Sequence, residues 1–140
     1  MKFSISEPKI DLYSGLLIFV GFEPSDTPVS IDQMVQKIKN LRVFSDSQGK
    51  LNLSASEVKS EYLLVSQFTL YAECKYGNRP SFDGAAQKSQ AKELFDYFVL
   101  SFRKGMGSDY VKNTPFASDL LVELVNDGPV TLWLDSKHLV

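Results

Sequence analysis

The chain has 140 residues, 44% of them apolar and 23% charged, which suits one compact domain spanning residues 1–140 and leaves no room for a second. Fifteen basic residues against seventeen acidic give a net charge of −2, which excludes nucleic-acid binding through bulk positive charge while leaving room for a local basic patch. Cys74 is the only cysteine and His138 the only histidine, which excludes an intrachain disulfide and any zinc site built from a Cys/His cluster.

Residues 2–6 alternate polar and apolar, with Phe3 and Ile5 on one side, and are expected to form a strand. Glu7 and Pro8 stand where a signal peptide would continue its apolar region, so a cytoplasmic protein is expected. Residues 16–22 form a near-continuous apolar run between Gly15 and Pro24 and are read as a second strand. That run is far shorter than the roughly 18 to 20 residues of a membrane-spanning helix, and no membrane partner is expected.

Ser30 precedes Gln33 at capping-box spacing. Ile31, Met34, Val35, Ile38 and Leu41 then follow at helical intervals, predicting an amphipathic helix that ends near Val43. Residues 45–50 have turn composition, and residues 51–53 begin a short strand. Residues 62–71 alternate two largely apolar faces, the pattern of a central strand. After a loop at 75–80, a helix from about Ala85 to Lys104 carries the stripe Ala91, Leu94, Phe95, Phe98, Val99 and Phe102, stopped by Gly105 and Gly107. Two further strands are predicted at 120–125 and 130–134, joined by residues 126–129. Strands in consecutive runs around two helices favour a layered α+β domain with the helices on one side of the sheet.

Two segments place polar groups where a packed domain prefers apolar ones. In a central strand, Ser66, Gln67 and Thr69 must either bond neighbouring backbone or face a cleft, because an unpaired buried hydroxyl or amide costs about 1 to 3 kcal/mol. Gly128 has no side chain to keep a ligand away from its backbone, and an X-Pro bond such as Gly128–Pro129 has only a small trans preference. From spacing alone, a plain turn between two strands is the more ordinary reading of the same residues.

Ser66-Gln67-Phe68-Thr69-Leu70 and Asn126-Asp127-Gly128-Pro129-Val130-Thr131 resemble the two signature motifs of the D-aminoacyl-tRNA deacylase family, in order and in separation. Residues 44–46, 49–53 and 76–82 are similar to the segments that connect them. The resemblance covers roughly residues 15–134. It implies a β/β/α fold with a barrel-like mixed sheet and a homodimer whose active sites lie at the interface. The implied reaction is hydrolysis of the ester in D-aminoacyl-tRNA, and of glycyl-tRNA mischarged on an alanine tRNA, without cofactor or metal.

In that family the strand motif of one chain meets the Gly-Pro motif of the other. Ser66, Gln67, Phe68 and Thr69 would be the catalytic segment, acting mainly through backbone and positioning, with the amides near Phe68 and Thr69 stabilising an oxyanion. Gly128 and Pro129, joined by Asn126 and Phe116, would hold the aminoacyl group and fill the space an L side chain needs. A nucleophilic Ser66 or Thr69 lacks an adjacent base, since His138 is far from both motifs in sequence. The terminal ribose 2′-hydroxyl of the substrate is the implied helper.

Lys75 and Arg79 are candidates for phosphates of the tRNA acceptor end, with solvated loop charges as the alternative. Phe68 is a candidate for positioning the terminal adenosine, or a core aromatic. The chain departs from the family in two places. An N-terminal arginine that helps hold the Gly-Pro motif has no evident counterpart, so either another residue supports Pro129 or the sequence starts late, and Thr114, Pro115, Ala117 and Leu120 replace the usual residues around Phe116 and Asp119. A deacylase with relaxed chirality and a catalytically silent tRNA- or protein-binding dimer are the alternatives these departures leave open.

Overall fold

Strand β4 (Glu61–Ser66) lies between β1 (Gly15–Val20) and β5 (Val111–Asn113), and both pairings are parallel. The computed structural model describes residue 10 and residues 14–139; the expected strand at 2–6 lies outside them. Parallel neighbours require crossover connections, and each crossover here carries a helix. Helix α1 (Pro28–Asn40) precedes β4, and α2 (Lys88–Arg103) precedes β5. A small antiparallel hairpin, β2 (Arg42–Ser45) and β3 (Leu51–Ser54), completes the regular elements. Its turn is held by Asp46, whose Oδ1 accepts from the amides of Gln48 (2.8 Å) and Lys50 (3.0 Å).

The helix start differs from the expected Ser30 cap. Thr27 is the N-cap: its hydroxyl accepts from the Ser30 amide at 3.3 Å, while Ser30 Oγ accepts from the Thr27 amide at 3.0 Å. Pro28 then occupies the first turn, where its missing N–H leaves nothing unsatisfied. The helix stops at Asn40 rather than near Val43, because Arg42 and Val43 are taken into β2. The α2 stripe is buried as expected, at Ala91, Leu94, Phe95, Phe98, Val99 and Phe102.

Both helices contribute to one core with Tyr62 and Leu64 of β4 and Val111 of β5. Phe98 stands at its centre, edge-on to Phe22 (6.2 Å) and to Phe102 (5.0 Å). A polar bond also ties the helices: Tyr97 Oη donates to Asp32 Oδ2 at 2.8 Å and Ser101 Oγ to Asp32 Oδ1 at 2.6 Å. Those two donors, Ser101 foremost, lower the Asp32 pKa. The α+β class is observed, but the described residues form no closed barrel, only the three-stranded sheet and the hairpin.

Three strand predictions differ from the structure. β4 ends at Ser66, not at residue 71, because the chain turns into a 3-10 helix, Phe68–Tyr71. Segments 120–125 and 130–134 are not strands, since among the described residues none of their backbone pairs with a neighbouring strand. Among the described residues no helix is long and apolar enough to cross a membrane.

The turn after β4 fits because residue 21 is glycine. A Cβ there would lie 2.9 Å from the Gln67 carbonyl oxygen and 3.1 Å from the Tyr71 ring. Gly21→Ala is expected to push the 67–71 turn off the end of β1 and to cost about 1 to 3 kcal/mol, measured by urea unfolding. The ion pair of Glu23 with Lys137 (2.8 Å) closes the same corner. The Lys137 hydrogen bond holds the Glu23 pKa below its ordinary 4.5, so its stabilisation is complete above that value and fades as pH falls through the lowered one. Lys137→Met is expected to flatten this acid limb of a stability–pH profile.

Candidate functional site

At the end of β4 the ladder closes with one last bond, from the Gln67 amide to the Val20 carbonyl at 2.7 Å. The 3-10 turn begins there, and its first internal bond runs from the Leu70 amide to the Gln67 carbonyl (3.3 Å). The amides of Phe68 and Thr69, which occupy the first two positions of that turn, therefore have no acceptor among the described residues. Both residues are exposed. Two neighbouring main-chain donors thus stand unpaired on exposed residues of a backbone held by the sheet, an arrangement suited to an oxygen that acquires negative charge.

The side chains of this motif mostly hold one another in place. Gln67 Nε2 donates to Thr69 Oγ1 at 2.5 Å. Ser66 Oγ accepts from the Ala117 amide at 3.1 Å, tying the strand end to the segment that carries Phe116. Phe116 packs on Phe95 with ring centres 5.8 Å apart, so it links the motif to α2. Phe68 is exposed and meets Phe82 edge-on at 5.1 Å. Among the described residues no basic side chain bonds Ser66 or Thr69; His138 lies in the 3-10 turn Ser136–His138, 3.6 Å from Asp135. Neighbouring Tyr71 has its phenol pushed far upward, by burial first and then by Asp26, Glu23 and Asp135, which keeps it neutral.

The second motif is a self-contained turn. Asn126 Nδ2 donates to Thr131 Oγ1 (2.9 Å), and Asn126 Oδ1 accepts from the Val130 amide (3.3 Å). Gly128 adopts φ +134 and the Gly128–Pro129 bond is cis. Asn126, Gly128 and Val130 border a groove of about 1800 Å³ that also reaches Leu70 and Tyr71. Within one chain no hydrogen bond or ring contact joins residues 66–69 to residues 126–131.

Lys75 and Arg79 sit on an exposed loop whose ends, Glu73 and Ser81, form an isolated bridge. The Lys75 ammonium lies 5.2 Å from the Tyr76 ring centre. Sequence reasoning missed Gly21, whose role is a close approach, and Ala117, whose φ of +55 is left-handed. It also passed over Phe82, which the aromatic and basic interleaving of residues 75–82 was a signal for. Ala117 carries a testable strain: Ala117→Val, β-branched in the left-handed region, is expected to cost at least about 1 to 2 kcal/mol in urea unfolding, whereas Ala117→Gly is tolerated.

A profile of the family described as D-Tyr-tRNA(Tyr) deacylase matches residues 5–135. A D-aminoacyl-tRNA deacylase of Thermosipho melanesiensis is 46% identical over 125 residues, covering 89% of this chain and 83% of the relative. Another, from Pseudomonas fluorescens, is 49% identical over 122 residues, covering 87% and 83%. Among solved structures, one named c-Myc DNA Unwinding Element Binding Protein superposes with TM-score 0.85 at 35% identity, over 94% of this chain and 89% of its own. A probable eukaryotic D-amino acid tRNA deacylase, at TM-score 0.62, 15% identity and 76% of each chain, shares the fold.

Proposed function

Because this chain belongs to the D-Tyr-tRNA(Tyr) deacylase family, we propose that it hydrolyses the ester of D-aminoacyl-tRNA through main-chain donors at the end of β4. The chain is an ester hydrolase of this family, and aminoacyl-tRNA is its substrate class. The observation that carries the mechanism is the pair of unoccupied amides at Phe68 and Thr69. Water attacks the ester carbonyl with help from the vicinal ribose 2′-hydroxyl. The carbonyl oxygen takes up negative charge against the two amides, the C–O bond to the 3′-oxygen breaks, and that oxygen leaves with a proton. Gln67 and Ser66 position this backbone through their bonds to Thr69 and Ala117.

Chiral selection is assigned to Gly128 and Pro129 of a second copy, with Asn126 setting the turn and Phe116 shaping the pocket beside Ser66. Exclusion by rigid backbone rejects an L side chain and passes a D side chain. Glycine has no side chain to reject, so glycyl-tRNA, as mischarged on an alanine tRNA, is also cleaved. The homodimer reading is supported by the separation of the two motifs within one chain. It is also supported by the extended, unpaired 120–134 region, where Val125 is 91% and Trp133 70% exposed. Such a protein acts in the cytoplasm, where translation takes place.

The test is release of amino acid from D-tyrosyl-, L-tyrosyl- and glycyl-tRNA by purified protein in the presence of a chelator. D-tyrosyl and glycyl release is expected, with the L form left intact. Comparable cleavage of D and L forms contradicts chiral exclusion, and no release from any of the three points to a silent binding dimer. Thr69→Ala is expected to keep turnover within about tenfold, whereas loss of a true nucleophile costs on the order of 10⁴-fold or more.

A further inference from the structure

We propose that the loop between Glu73 and Ser81 clamps the unpaired nucleotides that precede the terminal adenosine of the tRNA, with Tyr76 as the stacking surface for a base and Arg79 as a phosphate contact. The inference rests on the acceptor-end reading above and extends it to a part of the substrate remote from the ester. The loop is built to present its tip. Glu73 and Ser81 exchange both main-chain bonds, at 2.8 and 3.0 Å, and so pin its base.

The acids near the loop are engaged at that base. Glu73 Oε1 accepts from the Lys75 amide at 2.6 Å, and Asp83 Oδ2 from the Ser81 hydroxyl at 2.9 Å. The cations sit further out. Gly77, at φ +66, turns the tip. Tyr76 is 74% exposed, with the Lys75 ammonium near its ring and the rest of the ring in solvent. The Arg79 guanidinium has no ion-pair or hydrogen-bond partner among the described residues.

The chain leaves the loop through Phe82, which touches Phe68 of the first motif. Exposed aromatic surface therefore recurs from the tip of the loop to the two open amides. Rings interleaved with cations match a flexible single strand, in which every base offers a flat face and every phosphate a charge. A chain of net charge −2 has little other means of retaining RNA.

The test is fluorescence anisotropy with an uncharged RNA tetranucleotide of sequence ACCA, compared with the same oligonucleotide carrying abasic sugars at its two inner positions. Wild-type protein is expected to bind the intact probe about tenfold more tightly, as one lost stack implies. Tyr76→Ala is expected to erase that ratio and Tyr76→Phe to restore it, while Arg79→Ala weakens both probes alike. Circular dichroism checks that each variant is folded. Equal wild-type affinity for the two probes, or a ratio that survives Tyr76→Ala, overturns the clamp. Release assays with D-tyrosyl-tRNA run beside these separate the two readings: a clamp without hydrolysis refutes only the deacylase, and hydrolysis without a base-dependent ratio refutes only the clamp.

Discussion

The bond from the Gln67 amide to the Val20 carbonyl, at 2.7 Å, is the constraint on which the site depends. It is the last rung between β1 and β4, and it holds Gln67 over Gly21, where a side chain would collide. With Gln67 fixed in this way, the chain turns at once into the 3-10 helix. Such a turn leaves its first amides without partners wherever it starts. Here it starts at the C-terminal end of the central strand, so those amides sit unpaired on backbone anchored to β1. A loop could offer the same donors, but it would have to be ordered each time a substrate bound.

The supports of this corner come from distant parts of the sequence. Ser66 takes the amide of Ala117, the Thr114 amide extends the β5 ladder to the Leu64 carbonyl at 3.0 Å, and Pro115 ends it for want of an N–H. Phe116 then drops onto Phe95 of α2. Position 117 is forced into a left-handed conformation by this route, in a stretch where the sequence also departs from the family's usual residues. The left-handed residue and the sequence departure therefore meet at one contact, directly behind residues 66–69.

What could be read from the residues alone was whatever depends on local periodicity. The α2 stripe, the Asp46 turn and the apolar run of β1 repeat or punctuate the chain at fixed intervals, and each is found in place. The end of β4 was illegible because Gln67 to Tyr71 continues the alternation; the stop comes from Gly21, a residue 46 positions away. Segments 120–125 and 130–134 alternate as well, but a strand needs an edge to pair with, and no described residue supplies one to them. The cap at Thr27 was hidden by Ser30, which has the right chemistry and serves as the third residue of the same box. The two motifs stood out as polar residues in apolar surroundings, whereas the open amides behind them are backbone and have no signature in side-chain identity.

The parallel sheet has a consequence for how the protein comes into being. Strands joined by crossovers pair late, because long stretches of chain must be ordered before any contact between them forms. Most of the helical core lies at or before Phe102, whereas β5 follows it and the Glu23 partner, Lys137, lies 114 residues further along than Glu23 itself. The core-forming helices are therefore synthesised before the residues that brace the corner at the end of β4, Ala117 and Lys137.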